Sequence, residues 1–180
     1  MSELVQNRIE SDDPVGALCA YRQLEPGEQA EFATKVVRVV ADTKPEEAKM
    51  LALSLPAGDV RAKAMSELVE RLSKKSGAGT TLDWLAQQEP NADFDASYDS
   101  LAKALADGRP DRAFLSVSMM TDSSRKEALS NAYGFGWLQK NYAEAVQTLP
   151  SEFVSQYDRV VALAAQIRQV SPSYHGTLQF

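Results

Sequence analysis

The sequence has one cysteine and one histidine in 180 residues. A single thiol, Cys19, excludes a disulfide within the chain. It lies in ALCAY, an apolar helical run, where its expected role is a small core side chain rather than a reactive group. Cys19 and His175 cannot complete a zinc site without carboxylates, and no cluster has ligand spacing. As a nucleophile pair they would have to meet across 156 residues, so no catalytic residue is assigned. A phosphate loop is also missing: SGAGTT at 76–81 has no lysine and follows no strand. No metal ligand or cofactor-binding residue is expected. No apolar run approaches the roughly 20 residues of a membrane span. The opening MSELVQNRIES lacks the basic and then apolar pattern of a signal peptide, so the expected location is cytoplasmic. Strand signals are scarce, because VVRVV at 36–40 falls in a helical stripe with no hairpin turn beside it. Lys and Arg total 19 against 25 Asp and Glu, for a formal charge of −6. That balance disfavours nucleic acid as a partner over a large surface.

What remains is helix. Asp13 and Pro14 form a strong helix start, an acidic cap followed by proline in the first turn. That helix is expected to reach about Leu24, with Pro26–Gly27 as a break. The next, about 28–41, carries Phe32, Val36, Val37 and Val40 on one stripe. Thr43 with Glu46 reads as a capping box around Pro45. Asp59 reads as the cap of a helix over about 60–74, with Ala64, Met65, Leu68, Val69 and Leu72 inward. Ser76–Gly77–Ala78–Gly79 reads as a flexible loop, and Thr80 or Thr81 as the next cap. A helix over about 94–106 stops at Gly108. Pro110 opens a short helix, Ser124 with Glu127 caps a long one, and Asn141 with Glu144 repeats the logic. A last helix, about 152–170, carries Tyr157, Val160, Val161, Ala164 and Ile167.

These signals recur. The residues opening the short helices are Pro14, Pro45, Gly79, Pro110 and Asn141, at spacings of 31, 34, 31 and 31. The breaks after them, Pro26, Pro56, Pro90, Thr121 and Pro150, are spaced 30, 34, 31 and 29. Equivalent places in the long helices are Phe32, Ala64, Ser97, Ala128 and Val160, at 32, 33, 31 and 32. A period of this size belongs to stacked helical hairpins, each too small to bury its own stripe. The expected fold is all-α: a right-handed stack of about five hairpins with ten to eleven helices. Residues 1–10 would form a capping helix, 11–170 five repeats, and 171–180 a tail. Over residues 11–170 the chain resembles tetratricopeptide-type and HEAT-like repeat proteins. Its cadence of DP…A…LP…R…AL…WL is most similar to divergent bacterial helical repeats. The resemblance implies protein binding along a concave face.

One unit, Arg109–Pro150, carries an unusual GFG at 134–136 inside a helix, where each glycine costs about 1 kcal/mol relative to alanine. Close approach of a neighbouring helix would offset that cost. Alternatively, Tyr133 and Trp137, four residues apart on one face, border a shallow pocket. Tyr133, Gly134, Gly136, Trp137 and Tyr98 are therefore the candidate partner-binding residues, with Phe94 and Trp84 possible extensions. Trp84 itself reads better as core. Most carboxylates sit at helix starts, where the helix dipole accounts for them. Arg61, Lys63, Arg71, Lys74 and Lys75 form the most basic stretch and read as solvated surface. The expected function is a non-catalytic scaffold whose groove binds a partner protein's helix or peptide. Two alternatives are an all-α enzyme or small-ligand binder with a pocket at the GFGW helix, and a HEAT-like nucleic-acid binder.

Overall fold

The computed structural model describes the backbone of residues 1–170 and the side chains of 1–166. His175 and the rest of the tail lie outside the described residues. The described part contains eleven α-helices and no strand: α1 (Ser2–Glu10), α2 (Pro14–Tyr21), α3 (Pro26–Thr43), α4 (Pro45–Ser54), α5 (Asp59–Ser76), α6 (Ala78–Leu85), α7 (Asp95–Leu105), α8 (Pro110–Ser118), α9 (Ser123–Lys140), α10 (Tyr142–Thr148) and α11 (Ser151–Val170). A 3-10 turn at Ala92–Phe94 leads into α7. No described helix is long and apolar enough to cross a membrane. The chain divides into two compact units, Met1–Ser130 and a second from Asn131 onward, with the division inside α9.

Four prolines open helices. Pro14, Pro26, Pro45 and Pro110 all stand in a first helical turn, where the missing N–H costs nothing. Pro26 thus starts α3 and does not simply break the chain before it. The Glu28 carboxylate reaches back to accept from the Glu25 N–H at 3.4 Å. Thr43 is the last residue of α3, and the cap of α4 is Lys44 without a side-chain bond, so the Thr43–Glu46 box does not form. Asp59 lies inside α5, behind Gly58. The carboxylate of Asp122, not Ser124, caps α9 by accepting from the Arg125 N–H at 3.0 Å. Asn141 caps α10 as its spacing predicts, accepting from the Glu144 N–H.

The expected loop at 76–79 shrinks to one residue. Only Gly77 separates α5 from α6, at φ 89° and ψ 146°. That region is strained for any residue with a side chain. A Cβ there would meet nothing within 4 Å, so the cost of replacement is purely conformational. Gly77→Ala should lower stability by about 2 kcal/mol in urea denaturation. Gly136 provides the contrast. It is helical, and a Cβ there also meets open space. Gly136→Ala should therefore raise stability by up to about 1 kcal/mol.

In the first unit the long helices pack on their successors, α1 on α3, α3 on α5 and α5 on α7. The short helices lie against the long ones before and after them: α2 touches α1 and α3, α4 touches α3 and α5, and α6 touches α5 and α7. The core is built from the predicted stripes. Phe32, Val36, Val37 and Val40 of α3 and Ala64, Met65, Leu68, Val69 and Leu72 of α5 are all buried. Each large one contributes on the order of 1.5–3 kcal/mol. Links between hairpins span about one period. Arg71 pairs with Asp42, 29 residues away, and the Lys75 ammonium donates to the Asp42 carbonyl, 33 away. Arg61 meets Asp93 across 32 residues, and Arg112 meets Asp83 across 29.

Several core assignments change. Cys19 is exposed, while its neighbours Ala17, Leu18, Ala20 and Tyr21 are buried. The segment PVGALCAY is apolar on every side, so its pattern carries no sign of which side faces out. Trp84 is half-buried, with the Lys49 ammonium over its ring at 5.1 Å. Of the five equivalent long-helix positions, Phe32, Ala64 and Ser97 are buried, whereas Ala128 is exposed and Val160 is 39% exposed. In the α11 stripe Val160 and Val161 are exposed and Tyr157 and Ala164 half-buried, while the Ile167 side chain lies outside the described residues. Among the described residues no element follows α11 to cover it.

Candidate binding groove

Beside its buried stripe, with which it shares Val69, α5 presents a face of small and charged residues. Ala62, Ser66 and Ser73 run along it, with Lys63, Glu67, Glu70 and Lys74 beside them. On α7, Ala96, Ser100 and Ala104 recur every four residues and so share one face. Between these two rows lies a groove of about 970 Å³, closed at its sides by Thr34 of α3 and Ala78 of α6. Short side chains create it: α5 and α7 pack through their buried stripes, and nothing long fills the space above.

Charge in the groove is mostly neutralised in place. Glu67 accepts from Arg71 at 3.2 Å and Glu70 from Lys74 at 2.5 Å. The Lys74 ammonium holds the Glu70 carboxyl below its usual range. Lys63 is exposed and lines the groove with no ion pair among the described residues. Ser73 Oγ is shut off from solvent and has no hydrogen-bond partner among the described residues.

The basic stretch is therefore not a uniform solvated surface. The Arg61 side chain is 15% exposed and bonded to Asp93 at 2.6 Å, with its guanidinium 5.8 Å from the Phe94 ring centroid. Arg71 and Lys75 reach across to Asp42.

The aromatic residues proposed from sequence are not brought together on a surface. Tyr98 has no exposed area, and its hydroxyl donates to the Leu85 carbonyl at 3.2 Å, tying α7 to the end of α6. Burial pushes the phenol up to about 12, with Asp95 adding to the effect. Phe94 is buried as well. Trp137 is 1% exposed, so its ring presents no face to a partner, and its indole N–H has no acceptor among the described residues. Gly134 is buried, Tyr133 half-buried, and Gly136 open on its outer side. Close approach of a neighbour thus does not explain Gly136. An i, i+4 spacing reports a shared helix face but not whether that face looks inward, and here it is the core side.

The second unit gathers a different aromatic cluster. Phe135 packs on Phe153 at 5.0 Å and Tyr157 at 5.4 Å between ring centroids. Tyr142 lies 6.5 Å from Tyr157 and donates to Asp158 at 3.1 Å. That bond, with desolvation and the Asp158 charge behind it, raises the Tyr142 phenol. Phe153 and Tyr157, four apart on α11, carried the signal in sequence. Phe135, set between the two glycines, did not stand out.

No protein-family model, no curated protein and no solved structure matches the chain.

Proposed function

We propose that the chain is a non-catalytic protein-interaction module, akin to tetratricopeptide-type and HEAT-like repeats, that holds a partner segment in the groove along α5. It would act in the cytoplasm. The observation that carries this reading is the groove itself, which crosses three long helices and is floored by small residues. Small side chains let a partner's backbone approach closely, and buried contact area then accumulates over several helical turns. The aromatic surface expected around Trp137 plays no part, since Trp137 and Tyr98 are buried and Tyr133 is half-buried.

Filling the groove tests the reading. Ser100 is exposed, so Ser100→Trp adds bulk without disturbing the core. A displayed random-peptide library is panned against the purified chain and against this variant. Peptides enriched on the natural chain should bind the variant at least about tenfold more weakly at unchanged melting temperature. Equal binding to both, or no enrichment at all, rejects the groove as the binding surface.

A further inference from the structure

We infer that the segment held in this groove is an α-helix that places a carboxylate against Lys63. The inference rests on the groove reading above and adds the partner's conformation and charge. The helical form follows from the walls. Every lining residue belongs to a helix, α3, α5, α6 or α7, whose backbone groups are mostly bonded within the helix. An extended peptide would find no strand edge here, and its own N–H and C=O groups would lie unpaired on an apolar floor. A helix satisfies its backbone internally. The floor along α5 from Ala62 to Lys74 is about 18 Å long at 1.5 Å per residue, room for about three turns of a partner. The alanines and serines on both sides suit close helix–helix packing.

The charge follows from pairing. Four charged residues line the groove: Lys63, Glu67, Glu70 and Lys74. Glu67 is taken by Arg71, and Glu70 and Lys74 take each other. Lys63 alone among them lacks an ion pair among the described residues, and it stands exposed at the groove. A docked helix would strip part of its water. That desolvation is offset only if the partner brings an anion to it.

The test uses peptides selected as above, on the natural chain and on Lys63→Glu and Lys63→Gln. Those from the natural chain should be helix-forming, with small residues three or four apart and one Asp or Glu at a fixed position. Changing that acid to its amide should weaken binding about tenfold. Lys63→Gln should weaken the original peptides similarly, and Lys63→Glu should select Lys or Arg at the same position. Melting temperatures of both variants should match the natural chain. Peptides that are lost on Ser100→Trp but show no acidic preference and ignore Lys63→Glu would overturn this inference and leave the groove reading standing. Groove-dependent peptides rich in proline would overturn the helical part. Absence of any groove-dependent peptide would overturn both readings.

Discussion

Asp95→Ala should cost about 3 kcal/mol of unfolding free energy, read as a shift in urea midpoint at constant slope. Asp95 is 6% exposed and opens α7, yet its carboxylate serves the start of α9. It accepts from the Thr121 N–H and the Asp122 N–H, each at 2.8 Å, and from the Thr121 hydroxyl at 3.1 Å. Hydrogen bonds to a charged acceptor are worth about 1.5–3 kcal/mol each, and they do not add fully. Alanine removes all three acceptor contacts and leaves two backbone donors unsatisfied. Asp95→Asn keeps one carbonyl oxygen in place and should cost about half as much. A loss below about 1 kcal/mol for alanine would mean that water replaces the carboxylate freely.

Asp93→Ala should cost a similar amount, about 3 kcal/mol, for a different reason. The Asp93 carboxylate accepts from the Gly58 N–H at 3.0 Å and from Arg61 at 2.6 Å. Both side chains are largely buried, 15% and 12% exposed. Removing the acid leaves a guanidinium enclosed without its anion. The link also has a pH signature. Burial by itself works to raise the Asp93 carboxyl, but the Gly58 N–H and the Arg61 guanidinium outweigh it. The group is held below its ordinary 3.8. As pH falls, the unfolded chain therefore takes up the proton first. The stability from this group is full above the unfolded value and is lost as pH falls through the folded one. The advantage of the natural chain over Asp93→Asn should be constant above about pH 5 and shrink below about pH 4. Urea midpoints at pH 7, 5, 4 and 3 would measure it. An advantage unchanged at pH 3 would show that ionisation of Asp93 contributes nothing. Asp99, where burial is outweighed by Lys103 and Arg125, is lowered too and adds to the acid sensitivity of both proteins.

Much of the helical layout was legible because amphipathic stripes and proline starts are local. The stripes of α3 and α5 could be read one side chain at a time, and they are the core. Boundaries were less legible where one residue serves two roles. Pro26 could end one helix or begin the next, and only the Glu25–Glu28 contact decides it. Gly77 looked like part of a loop because three of its neighbours are small. Its positive φ, invisible in the residue string, lets a single position make the turn. The candidate site was legible least. Aromatic spacing at Tyr133 and Trp137 reported a helix face whose inward direction depends on tertiary packing. Lys63 read as one cation among five. What sets it apart is that Arg61, Arg71, Lys74 and Lys75 all have described partners, a fact about neighbours about thirty residues away or on the same helix.

Arg112 reaches back to Asp83 and the Gly79 carbonyl, and Arg61 reaches forward to Asp93. Each such link begins in one hairpin and ends in the adjacent one. Partnerships of that reach do not specify a total number of hairpins, as a closed barrel specifies its strands. Each hairpin is held by its immediate neighbours alone, so a change in the number of hairpins in the first unit would leave the other links as they are.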